Sequence, residues 1–179
     1  LRAATLARAG RTADARAAFE KAMAADPKAA RPLIGLATLE AQAGNAAAAV
    51  ELLDRAAGLD PKSGDARYLA AQLVLGQVRQ DEAERRLREV IAVAPGNGAA
   101  MNDLAWILAS SGQDLDNALA LAERARQLNA TPDVIDTLGY VQLKRGDAAA
   151  AVKLFEEALA MRPKDPTLRY HLGVALAQT

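Results

Sequence analysis

Few side chains in this chain have the company that catalysis requires. A nucleophilic mechanism needs Ser or Cys beside a base, yet there is no cysteine and only one histidine, His171, to which the local spacing assigns no acidic partner. One histidine and scattered carboxylates form no metal-ligand cluster, so no metal or other cofactor is expected. The glycines form neither GxGxxG nor GxxxxGK, which removes a phosphate-cradling loop. Arg79, Arg85, Arg86 and Arg88 could make a nucleic-acid patch, but Glu82, Glu84 and Glu89 interleave them, the pattern of a solvated outer face. What remains is a small set of tyrosines and one tryptophan, whose placement depends on the elements that carry them.

Composition points to close-packed helices. Of the 179 residues, 51% are hydrophobic and 25% charged, so the chain is long and apolar enough to bury a core. Aromatics are only 3%, and alanine makes up about a quarter of the chain, which favours helices that approach through small side chains. The 22 basic residues balance 22 acidic ones, so no global field draws the protein to nucleic acid or an anionic membrane. No apolar run reaches membrane-span length, so direct membrane insertion is not expected. The absence of cysteine removes disulfides without fixing a compartment.

A period organises these helices. Pro27, Pro61 and Pro95 stand 34 residues apart, Asn129 falls on the next beat, and Pro163 follows it by another 34. The clearest copy, Pro132 to Pro163, reads as helix, turn, helix, stop. Ten positions after each beat stands a small residue: Ala37, Ala71, Ala105, Gly139 and Gly173. The second helices repeat a small–large pair, in Ala15 with Phe19, Ala49 with Leu53, Ala83 with Leu87 and Ala151 with Phe155. Ala22, Ala56, Val90 and Ala158 follow three residues later.

These residues and their period resemble the tetratricopeptide repeat along the whole chain. The resemblance implies an all-α, right-handed superhelix, an α-solenoid of helix-turn-helix units. The expected division is a partial repeat over 1–29, repeats over 30–63, 64–97, 98–131 and 132–165, and the first helix of a further repeat over 166–179. The third repeat turns at Gly76 and the polar stretch after it, without a glycine at the usual place. The fourth carries a one-residue insertion in GQDLDN, offset by a shorter exit at Leu128 to Thr131. Leu168, Leu172, Gly173 and Leu176 are expected to lie uncovered. Because a repeat cannot bury its apolar face alone, the chain reads as a piece of a longer array or one whose ends another copy covers.

In tetratricopeptide arrays the first helices line a concave groove, and the resemblance places there the residues seven and eleven positions after each beat. These are Ile34 and Thr38, Tyr68 and Gln72, Asn102 and Trp106, Asp136 and Tyr140, and Tyr170 and Val174. All three tyrosines and the tryptophan fall in these slots, whereas both phenylalanines occupy the core slot. Arg31, Gln42, Asp65, Ser110, Asp133 and Lys144 are expected nearby. Tyr and Trp join apolar area to a polar tip, which suits a surface for a protein or peptide segment, or a carbohydrate. The competing reading is that Trp106 and Tyr140 fill space between neighbouring first helices.

The family's carboxylate clamp for chaperone tails is not expected, because Tyr68, Asp136 and Tyr140 stand where it needs cations or amides. The mixed aromatic and acidic lining instead favours a basic or apolar partner segment. At finer grain, LAWILASSGQDLDNALALAERARQLN and DTLGYVQLKRGD are similar to arrays of bacterial tetratricopeptide proteins tied to exopolysaccharide export and PEP-CTERM-type sorting. That similarity implies a non-catalytic, periplasm-facing scaffold for partner proteins. Two alternatives are a regulatory array of a larger enzyme, such as a glycosyltransferase or peptidase, and self-association end to end.

Overall fold

The helix signals in the sequence are realised locally by caps and small-residue contacts. The computed structural model describes residues 2–179, and among them it contains eleven α-helices and no strand. The chain divides into two compact units, Leu1–Ala94 and Pro95–Thr179.

The first unit comprises α1 (Arg2–Arg8), α2 (Thr12–Ala25), α3 (Ala30–Gln42), α4 (Ala46–Leu59), α5 (Asp65–Gly76) and α6 (Gln80–Val93). α3 and α5 each pack on their own second helix and on the second helix before it, and α1 packs on α2. Ala49, Leu53 and Ala56 of α4 close over Leu33 and Ala37 of α3 and over Ala66 and Ala70 of α5. Ala83, Leu87 and Val90 occupy the same slots on α6 and are fully buried. The arginines of α6, and Arg79 just before it, are paired: Arg79 and Arg86 with Glu82, Arg85 with Glu89, Arg88 with Glu84, and Arg86 also with Asp54 of α4.

The second unit comprises α7 (Gly98–Ser111), α8 (Leu115–Leu128), α9 (Pro132–Lys144), α10 (Ala148–Met161) and α11 (Pro166–Leu176). Four of its helix starts carry a side-chain cap that satisfies otherwise unpaired first-turn N–H groups. Asn97 accepts from Ala100, Thr131 from Val134, Asp147 from Ala150, and Asp165 from Thr167 and Leu168. Pro132 and Pro166 sit in the first turn, where proline sacrifices no hydrogen bond. Gly139 lets the Phe155 ring lie on the α9 backbone, since a Cβ there would come within 2.6 Å of it.

The turn between the helices of a repeat shows what the period demands of the backbone. Gly10, Gly44, Gly112 and Gly146 all take a left-handed φ between 71° and 88°, the conformation glycine adopts without a steric penalty. The third repeat places Val78 in that slot, at φ 61°. Gly76, expected in the turn, is instead the last residue of α5. In the fourth repeat two residues, Gln113 and Asp114, separate the turn glycine from the second helix, where the other repeats have one. The extra residue puts Asp114 at φ 45° and moves the buried slots to Ala118, Ala122 and Ala125. Leu168 departs from the expectation of an uncovered last helix: it is buried with Ile135 and Ala158, because this face of α11 packs on α9 and α10. Leu176 is 53% exposed.

Candidate functional site

The first helices carry the candidate binding residues, and each unit presents its own set. In the first unit, Arg31, Thr38 and Gln42 lie on α3 and are exposed. The Thr38 hydroxyl donates to the Ile34 carbonyl at 2.9 Å. On α5 the Gln72 amide donates to the Tyr68 hydroxyl at 2.9 Å, so two expected lining residues hold one another one helical turn apart. Ala41, Leu69 and Leu73 join Thr38 and Gln72 around an apolar hollow of about 140 Å³ between α3 and α5.

In the second unit the residues converge more strongly. Asn102, Trp106 and Ser110 recur every fourth position on α7, Asp133, Asp136, Tyr140 and Lys144 follow α9, and Tyr170 lies on α11. Trp106 and Tyr140 are stacked, with ring centroids 4.5 Å apart and an interplanar angle of 28°. A stack of this kind is a favoured aromatic geometry, and both residues stay partly exposed. The Lys144 ammonium lies 5.3 Å from the Tyr140 centroid, within cation–π range. Tyr170 is 70% exposed. The side-chain oxygens of Asn102 and Ser110 are buried without a hydrogen-bond partner among the described residues.

His171 departs from the sequence expectation, because it does have an acidic partner. Its Nδ1 lies 2.7 Å from Asp136 Oδ1. A carboxylate only accepts, so Nδ1 carries the hydrogen. The imidazole is walled by Tyr140, Phe155, Tyr170 and Trp106, at centroid distances of 5.8, 5.5, 5.9 and 6.1 Å. Asp136, expected to line the groove, therefore ties α9 to α11, with only 14% of its side chain exposed. Asp133 remains exposed, but its carboxylate pairs with Arg162 at the end of α10. A signal for a buried polar role of His171, though not for its partner, was available: the slot eight positions after the beat holds Asp103, Thr137 and His171 in this unit, three polar residues on packed helices. Thr137 is buried there, and its hydroxyl donates to the Asp133 carbonyl at 3.0 Å.

Stacked helix-turn-helix pairs, with a small-residue core and aromatic side chains gathered on the first helices, define an α-solenoid of the kind that serves as a protein-interaction scaffold. Family models described as tetratricopeptide repeat match residues 6–73 and 40–95, and 68–132 and 137–179, and the chain belongs to that family. It is 30% identical to cellulose synthase 1 operon protein C of Komagataeibacter xylinus, over 96% of this chain and 14% of that protein. It is 33% identical to a TPR repeat-containing protein of Pseudomonas aeruginosa, over 65% of this chain and 20% of that one. The chain thus spans 14–20% of the length of these two relatives. Among solved structures, MamA aligns with TM-score 0.74 at 23% identity, covering 90% of this chain and 95% of MamA. YrrB, described as a TPR protein with an unusual peptide-binding site, aligns with TM-score 0.73 at 19% identity over 94% and 87%. These likenesses establish the fold. Tetratricopeptide repeat proteins are typically non-catalytic scaffolds, and the fold is one that binds proteins or peptides. Among the described residues no helix is long and apolar enough to cross a membrane.

Proposed function

We propose that this chain is a non-catalytic scaffold that seats an extended segment of a partner protein on its first helices, within a bacterial envelope system for exopolysaccharide export or assembly. The observation that carries the reading is the Trp106–Tyr140 stack. It is built before any partner arrives, so little side-chain entropy is lost on binding, and its two rings border the His171 ring that the exposed Tyr170 also borders. On this reading Arg31, Thr38, Gln42, Tyr68 and Gln72 contact the partner in the first unit. Asn102, Trp106, Ser110, Asp133, Tyr140, Lys144 and Tyr170 frame the contact in the second, with Asp136 holding the frame through His171. The export assignment is supported by similarity to cellulose synthase operon protein C along nearly the whole chain, and it favours a periplasmic location.

The test is a pull-down from the envelope fraction with the full-length protein and its Trp106→Ala, Tyr140→Ala double variant. The expected result is loss of the captured partner with unchanged far-ultraviolet circular dichroism. Undiminished capture by the double variant refutes the assignment of these residues.

A further inference from the structure

The charges on the first helices of the second unit point to the chemistry of the partner. The sequence there reads as acidic, but both acids of α9 are already engaged, Asp136 by His171 and Asp133 by Arg162. Arg145, just past the helix, is paired with Asp116. Lys144 is different. It is exposed, and among the described residues no carboxylate pairs with its ammonium, which lies 5.3 Å from the Tyr140 ring centroid. Arg169 on α11 gives a hydrogen bond to the Pro163 carbonyl at 2.7 Å and likewise meets no carboxylate there. On α9 and α11 the charges that meet no opposite charge among the described residues are cationic.

We propose that Lys144 and the Trp106–Tyr140 stack form a subsite for an acidic side chain followed by an apolar one, within the interior of a partner segment. The carboxylate takes the Lys144 ammonium, and the neighbouring apolar side chain lies against the partly exposed stack. This rests on the reading that the first helices seat a partner segment, and it reverses the expectation of a basic one: the acids that prompted that expectation are neutralised within the fold. Lysine is suited to the role, since a compact ammonium on a flexible stem can leave the ring face to meet a carboxylate without a fixed fork geometry.

Trp106 is the only tryptophan, so its emission reports on the subsite directly. The probes are three acetylated, amidated hexapeptides, Gly-X-Leu-X-Leu-Gly with X as Glu, Gln or Lys, titrated into the whole chain at low salt. Blocking the C-terminus removes a terminal carboxylate as the source of affinity. The Glu peptide is expected to change Trp106 emission and to bind at least threefold more tightly than the Gln peptide, in line with a partly exposed ion pair. That margin should shrink in 0.5 M salt. Lys144→Gln should abolish the margin and Lys144→Arg should keep most of it. Equal or tighter binding of the Lys peptide, indifference to Lys144→Gln, or no binding by any peptide overturns the subsite. If the Lys peptide binds as tightly as the Glu peptide and changes Trp106 emission, the seat on the first helices survives and only its charge preference falls. If calorimetry shows the Glu peptide bound while Trp106 emission is unmoved, the seat on this cluster falls as well.

Discussion

Replacing Val78 with glycine should stabilise the protein, and the repeat supplies its own control. Val78 sits at φ 61°, in the slot where the four other turns place a glycine at φ 71° to 88°. The left-handed region brings Cβ against the following carbonyl, which costs a side-chain-bearing residue about 1–2 kcal/mol. Against this stands the greater backbone freedom glycine loses on folding, about 0.5–1 kcal/mol. Val78 is 81% exposed, so its removal forfeits little packing. The balance is a gain of about 1 kcal/mol, which for a chain of this size raises Tm by roughly 2–4 °C. Urea unfolding followed by circular dichroism measures it, and hydrogen exchange should place the gain in the α5–α6 pair, since stability in repeat arrays is largely local. Val78→Ala is the decisive comparison, because alanine keeps the Cβ. If it stabilises as much as glycine, or if glycine gives nothing, the backbone argument is wrong.

Gly139 and Gly173 occupy the same slot one repeat apart, yet alanine should act on them with opposite sign. At Gly139 a Cβ meets the fully buried Phe155 ring, so overpacking of about 1–3 kcal/mol outweighs the gain in helix propensity; at Gly173 nothing lies within 4 Å, and alanine should stabilise by about 0.5–1 kcal/mol. Thermal melts of the two single variants decide it. In the first unit, hydrogen bonds from Asn45 and then Arg16 hold the Glu40 carboxyl below its ordinary pKa. A depressed carboxyl contributes stability above its unfolded pKa and loses it as pH falls through the folded value. Asn45→Ala should therefore move the Glu40 titration upward, observed by NMR, and weaken the acid dependence of stability in this unit.

Much of the fold was legible because a 34-residue period repeats the same local decisions. The buried slots at Ala49, Leu53 and Ala56 recur at Ala83, Leu87 and Val90 and again at Ala151, Phe155 and Ala158. The displaced register of the fourth repeat could be read from Ala118 and Ala122 alone. The site was legible only as a set of slots. Trp106, Tyr140 and Tyr170 could be assigned to first helices, but slot numbers do not say which rings touch.

Sequence alone determined the helical class, the repeat frame and the gathering of tyrosine and tryptophan on one helix type, because each follows from spacing along a helix and from side-chain volume. Tertiary structure decided what the polar residues do. Asp136 and His171 are 35 positions apart, one more than the period, and on a straight helix adjacent positions point about 100° apart. The frame therefore assigns them to different faces. Packing of α11 on α9 nonetheless brings Nδ1 to 2.7 Å from the carboxylate. Electrostatic character depends on such contacts between helices, and for this reason a face that reads as acidic in sequence is left, once folded, with Lys144 as an exposed charge that no carboxylate pairs with among the described residues.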